Sequence, residues 1–183
     1  YGYESCYSSK LETTSSSSNV TIDCGGIRAC ANNNGLESKR GSISCGGSYG
    51  CYSGGDIEAE KGAVTCNGNY GCYKVESIES GSFVQCNGNY GCYNVGWIES
   101  TTGGVYCNGN YGCYIAQITA STHVYCSGSD GCAYAANIES TSGNIYCDGE
   151  DGCYNVRGDI SASSGYVYCD GDFGCYNVSG QIE

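Results

Sequence analysis

Residues 86–114 read CNGNYGCYNVGWIESTTGGVYCNGNYGCY, and the heptad CNGNYGC stands in them twice, at Cys86–Cys92 and Cys107–Cys113. The stretch between the copies drifts while the cysteine loop does not. Extended along the chain, the looser pattern C-x-G-x-x-[GA]-C recurs eight times, opening at Cys24, Cys45, Cys66, Cys86, Cys107, Cys126, Cys147 and Cys169, at intervals of 19 to 22 residues. A fixed period of this length marks a repeat architecture in which each unit is completed by its neighbours.

Two apolar columns keep step with the loop. Ile22, Ile43, Val64, Val84, Val105, Val124, Ile145 and Val167 stand two residues before each opening cysteine. Leu11, Leu36, Ile57, Ile78, Ile98, Ile118, Ile138, Ile160 and Ile182 follow the loops. A weaker column of small apolar residues lies between, at Val75, Val95, Ala116, Ala135, Val156 and Val178. The segments are too short for helices, rich in β-formers and bounded by Gly, Asn and Ser. They predict an all-β fold: one parallel β-solenoid (β-helix) of about nine coils, ~21 residues each, with coils ~4.8 Å apart. Residues 1–183 form one continuous array on this reading, and the length variation falls in an elastic corner between the Ile-Glu-Ser segments and the next Val.

Composition explains the cysteines. The chain has 31 Gly, 19 Tyr and 17 Cys among 183 residues, but only two Phe, one Trp and no Pro or Met. Each coil offers about four inward groups, too few for an ordinary core. A disulfide across each loop fills the interior and restricts the unfolded chain, at roughly 2 kcal/mol for so short a loop. Bridging draws the Cα atoms to within about 7 Å, so the loop folds back, and its glycines at positions three and six are expected to supply the bend. The expected pairs are Cys24–Cys30, Cys45–Cys51, Cys66–Cys72, Cys86–Cys92, Cys107–Cys113, Cys126–Cys132, Cys147–Cys153 and Cys169–Cys175. Bridges between stacked coils are the alternative, disfavoured because the spacing within the loop survives every change of coil length. Cys6 matches a closing cysteine without an opening partner and is expected to be unpaired within the chain. By the repeat's arithmetic the array begins in mid-loop and stops in mid-coil at both ends, as a processed chain or a piece of one would.

So many cysteines belong in an oxidising compartment. Nineteen Asp and Glu against seven Lys and Arg exclude nucleic acid, which needs clustered cations. No apolar run approaches the ~20 residues of a membrane span. Catalysis finds no constellation: the lone His123 and the scattered Arg28, Arg40 and Arg157 share no column with one another, and C-x5-C is not a zinc spacing. No cofactor and no metal site are expected. The Glu column (Glu12, Glu37, Glu58, Glu79, Glu99, Glu139, Glu183) and the acidic loops with Asp130, Asp148, Glu150, Asp151, Asp170 and Asp172 raise calcium bridging, but they lack a complete calcium motif.

Tyrosine makes three columns. Tyr7, Tyr52, Tyr73, Tyr93, Tyr114, Tyr154 and Tyr176 follow closing cysteines; Tyr49, Tyr70, Tyr90 and Tyr111 stand inside the loops; Tyr106, Tyr125, Tyr146 and Tyr168 precede opening cysteines. Stacking along the rod stabilises it, and Tyr70, Tyr90, Tyr111, Tyr73, Tyr93 and Tyr114, with Trp97, are candidates for an aromatic interface. Asn19 and Asn177 begin Asn-x-Ser/Thr sequons and are candidate glycosylation sites in a secreted chain.

The repeat with its CNGNYGCYNV loops and Ile-Glu-Ser strands resembles the Cys- and Gly-rich β-solenoid repeats of protist and algal cell-surface proteins, similar to subunits of flagellar hairs, the mastigonemes. It is more distantly similar to the disulfide-laddered solenoid antifreeze proteins of insects, which have shorter coils. The first resemblance implies a secreted, glycosylated structural subunit of an extracellular filament or surface appendage, partnered by itself or a related chain through open coil ends and aromatic faces. The alternatives are an ice-binding solenoid and a carbohydrate-binding adhesin repeat.

Overall fold

The computed structural model describes residues 10–14 and 20–183. Among the described residues, sixteen short strands alternate between two parallel sheets. One sheet stacks the Ile-column segments from Leu11–Thr13 through Ile57–Ala59 and Trp97–Ser100 to Ile160–Ala162; the other stacks Ile22–Asp23 through Val105–Tyr106 to Val167–Tyr168. Register is strict. Ile57 pairs Ile78, Ile78 pairs Ile98, and Val105 pairs Val84 and Val124. Alternation along each strand turns these residues inward, and the Ile and Val columns are fully buried between the sheets from Ile43 to Ile160.

This is a parallel β-solenoid of about seven turns, with no helix among the described residues, not the nine coils expected. The shortfall is at the incomplete coils: Cys6 lies outside the described residues, and Ile182 joins the stack only through an isolated bridge to Ile160. A coil without both strands adds no full turn.

The cysteine loops form a third side without regular strands, yet it is bonded coil to coil. The Cys51 N–H donates to Gly71 O, Cys72 to Gly91 and Cys92 to Gly112, each at 2.7 Å. On the loop's other arm the bonds run back, from Gly47 N–H to Cys24 O and from Gly68 N–H to Cys45 O. All eight expected loop pairs are bridged, with Cα–Cα distances of 5.4–5.6 Å.

The glycines of these loops act differently from the expectation. Gly35 alone among the described glycines has a positive φ. A Cβ on the loop's first shared glycine would instead meet the carbonyl oxygen of its counterpart one coil earlier: 1.9 Å from Gly47 O at Gly68, 1.9 Å from Gly68 O at Gly88. Close coil contact, not the bend, demands glycine there. The left-handed turn falls two residues after the closing cysteine, at Asn32, Ser53, Lys74, Asn94, Ile115, Tyr134, Asn155 and Asn177, with φ between 50° and 58°.

Both corners are elastic. From Leu36–Ser38 onward three or four residues carry the chain from the end of an Ile strand to the next Ile or Val, so that corner varies as expected. The corner after the loops varies too: one residue separates Ala116 from Ile118, three separate Val156 from Ile160. Where the first strand ends in serine, that side chain is buried and bonds the corner backbone. Ser80 Oγ donates to Gly62 O of the preceding coil and contacts Phe83 O, both at 2.9 Å. Ser100 and Ser140 repeat the arrangement.

Candidate interaction surfaces

The tyrosines form ladders. Ring centroids in the loop column Tyr49–Tyr70–Tyr90–Tyr111 lie 4.8–4.9 Å apart with planes within 5°. Tyr52–Tyr73–Tyr93–Tyr114 stack at 5.0–5.3 Å beside them. The two ladders meet edge to face, Tyr70 to Tyr73 at 5.4 Å and Tyr111 to Tyr114 at 5.5 Å. The strict coil repeat sets this spacing, and offset parallel rings at such distances attract. Side by side, the ladders make a half-buried aromatic strip across four coils. Arg28 and Lys74 lie over Tyr49 and Tyr73 at 5.6 and 5.3 Å, within cation–π range.

Stacking has a chemical consequence. Within a ladder both faces of an inner ring are covered by its neighbours, so the strip offers ring edges and phenol oxygens. Burial and the adjoining tyrosines push the phenol of Tyr70 above its ordinary range.

One rung was hidden in the sequence. The coil closed by Cys132 carries Ala133 where tyrosine is expected, but Tyr134 lies 5.2 Å from Tyr114 and 5.9 Å edge-on from Tyr154. The ladder thus continues through a residue one place out of column. The third ladder, Tyr106–Tyr125–Tyr146–Tyr168, stacks at 4.7–5.1 Å. His123 packs against Tyr125 and Tyr146, and its Nδ1 accepts the Asn144 N–H at 2.8 Å.

Trp97 is not part of the strip. It lies on the Ile-strand sheet between Ser77 and Gln117, 40% exposed, with no ring contact among the described residues. The aromatic interface read from sequence therefore divides into the paired ladders and an isolated indole.

The Glu column is a ridge in strict register, Glu37–Glu58–Glu79–Glu99, interrupted by Thr119 before Glu139. Burial, then Glu37 and Glu79, raise the carboxyl of Glu58. Lysines relieve the first rungs: Lys10 donates to Glu37 at 2.9 Å, and Lys39 bridges Glu37 and Glu60. Hydrogen bonds from Lys39 and Lys10 hold the Glu37 carboxyl below its ordinary range.

Sulfur atoms of successive loops also stack. Those of Cys45, Cys66 and Cys72 lie within 4.8 Å of one another, as do those of Cys66, Cys86 and Cys92. All are tied in disulfides and so present no thiolate to a metal. Of the sequons, Asn19 lies outside the described residues; Asn177 is exposed and its amide donates to Asn155 Oδ1.

No family model matches the chain, and neither a curated protein nor a solved structure is similar to it. No described helix is long and apolar enough to cross a membrane. The eight disulfides fit an oxidising environment outside the cytosol.

Proposed function

We propose that the chain is a structural rod: a secreted subunit of an extracellular filament or cell-surface appendage that associates with copies of itself, or with related chains, along its aromatic flank. The observation that carries this reading is the double tyrosine strip. Its rungs repeat at the coil spacing, so two rods can meet at many equivalent positions, and its half-buried phenols combine apolar area with hydrogen-bonding tips, the pairing favoured at protein interfaces. The resemblance to mastigoneme-like repeats agrees with this role, and Asn177 is proposed as a glycan carrier.

The role is non-catalytic. The single histidine is engaged by two tyrosines and a backbone amide, which suits a structural contact. Asp130 and Asp151 interrupt the loop ladder, which speaks against the uniform uncharged face an ice-binding solenoid requires.

Electron microscopy and sedimentation of the oxidised chain across a concentration series test the proposal. Fibres or lateral bundles are expected, lost in a Tyr73→Ser/Tyr93→Ser/Tyr114→Ser variant that keeps its disulfides. Isolated rods at every concentration would remove the reading.

A further inference from the structure

We propose that the corner groove between Arg40, Lys61 and Phe83 binds an anionic saccharide, a short glycan whose sugar units carry carboxylate or sulfate. The groove has a volume of about 450 Å³ and is lined by Arg40, Lys61, Ser42, Ser82 and Phe83 among others, none of the lining residues acidic. The chain carries a formal net charge of −12, so a cavity lined by two cations and no carboxylate stands apart from the rest of the surface.

Register builds the site. Ile43 pairs Val64, and Arg40 and Lys61 stand three residues before them. The guanidinium and the ammonium therefore arise from the same corner on successive coils, ~4.8 Å apart along the axis. Lys10 and Lys39 are bonded to glutamates, but no ion pair joins Arg40 or Lys61 to a described carboxylate. Cations rooted on successive coils repel when their side chains turn into the same groove, and an anion held between them offsets that repulsion while meeting both sets of donors.

The next coil supplies an aromatic ring. Phe83 is 37% exposed. Its neighbours in the column are Ala63 and Gly104, whose carbonyls and that of Phe83 accept equivalent backbone bonds. Phe83 thus has no stacking partner in its own column, and its one ring contact among the described residues is with Tyr106, edge to face at 6.2 Å. It also lines an adjoining groove with Gln85 and Tyr106. The two grooves run over three coil steps, ~14 Å, enough for an oligosaccharide rather than a lone ion.

This combination selects the ligand class. Cations recognise the acid group, the Phe83 ring offers apolar area to the C–H face of a sugar, and Ser42, Ser82 and the Gln85 amide match its hydroxyls. An acidic peptide would use the cations and leave the ring and hydroxyl row idle. The stacked tyrosines, with both faces occupied, cannot serve a sugar in this way.

Calorimetry on the full oxidised chain tests the proposal with five probes: an oligogalacturonate, a sulfated oligosaccharide, a neutral oligosaccharide of equal length, a polyglutamate of matched charge, and sodium sulfate. One or both acidic oligosaccharides should bind, the neutral one should not, and Arg40→Gln/Lys61→Gln and Phe83→Ser should each weaken binding tenfold or more. Phe83→Leu, which keeps apolar bulk without the ring, should weaken it as well and serves if Phe83→Ser lowers the melting temperature. Silence from both acidic oligosaccharides, binding of sulfate alone, or polyglutamate binding as tightly with no effect at Phe83 would overturn it.

Discussion

Asp130 stands on the rung after Tyr111, in the loop column that tyrosine fills from Tyr49 onward, and its carboxylate holds the Tyr111 phenol above its ordinary range. The Asp130 N–H donates to Asn110 O at 2.7 Å, so the backbone stack continues where the aromatic one stops. The Asp130 carboxyl is itself raised, by burial first and then by Asp151 and Glu150. Replacing it by tyrosine should add one stacked ring and remove the charge. Asp130→Tyr is expected to stabilise the rod by about 0.5–1 kcal/mol and, by removing the largest cause of its rise, to lower the Tyr111 phenol, read by denaturant melts and ultraviolet titration of tyrosinate. A destabilised variant would show that the column has no room for another ring.

Acidity should strengthen this rod before it weakens it. Asp130, Asp148 and Glu58 are all raised, with burial the first cause in each. Between the unfolded and folded values the native state binds more protons, so stability falls as pH rises through the window just above the ordinary carboxylate range of ~4. Glu37 runs the other way: its carboxyl is lowered, and its contribution is present at higher pH and lost as pH falls through its folded value, below that range. The melting temperature should therefore be higher near pH ~5 than at neutrality and decline in stronger acid. Added salt at neutral pH should raise it by screening the Glu ridge. Scanning calorimetry at fixed ionic strength checks this, with Asp130→Asn flattening the acid side of the profile; a maximum at neutral pH would contradict it.

The left-handed position after each closing cysteine holds Asn94 one coil before Ile115, and asparagine again at Asn155 and Asn177, whereas Ile115 itself has a φ of 57°. For a β-branched residue that conformation costs about 1–2 kcal/mol, against a smaller loss of apolar burial because Ile115 is only half-buried. Ile115→Asn should raise stability by about 0.5–1 kcal/mol. Guanidinium melts of both chains decide it, and a loss of stability would mean that side-chain packing outweighs backbone strain there.

The sulfur column offers a test of coil spacing. In a Cys66→Ser variant the Cys72 thiol is left within 4.8 Å of the Cys45 sulfur. Attack by its thiolate on Cys45 would form a Cys45–Cys72 bond and release the Cys51 thiolate, with electrons conserved. Peptide mapping should recover both Cys45–Cys51 and Cys45–Cys72 species after incubation at mildly alkaline pH. Recovery of the first alone would place neighbouring loops too rigidly for exchange.

How much of this was legible follows from what a column can reveal. The solenoid, its register and the bridging of Cys86 to Cys92 could be read because the cysteine loop and the apolar residue two places before it keep one spacing in every coil while the coil length changes, and repetition turns chance into pattern. The ladder from Tyr93 to Tyr114 was visible for the same reason. Tyr134 was missed because the side chain reaches the ladder from a neighbouring backbone position, which alignment cannot represent. Ser80 and Ser100 cannot be told from ordinary corner residues in the sequence because the need they satisfy, a carbonyl turned inward at the preceding coil's corner, exists only in three dimensions. The groove at Arg40 and Lys61 escaped notice because only two coils carry cations there. Phe83, its third member, comes from a different residue column.

The reading of the loop glycines is the one that experiment can separate most sharply. If Gly109 were needed only to ease the bend, its substitution by alanine at a φ outside the positive range would be tolerated or even stabilising by about 0.4–1 kcal/mol through the unfolded chain. The geometry argues otherwise: a Cβ there would lie 1.9 Å from Gly88 O and 2.8 Å from its carbonyl carbon, and backbone cannot swing aside as a flexible side chain does. Separating the coils would lengthen the hydrogen bonds from Gly109 N–H to Cys86 O and from Cys92 N–H to Gly112 O and part the rings of Tyr90 and Tyr111. Gly109→Ala should therefore cost about 4 kcal/mol or more. Gly46→Ala is the internal control, since a Cβ at Gly46 meets nothing closer than Ser44 Oγ at 3.7 Å and three other coils place asparagine at that position. Melting both variants with their disulfides intact distinguishes the two accounts, because equal and small effects would restore the bend as the reason for glycine, whereas a large loss at Gly109 alone shows that the loops are stacked to backbone contact.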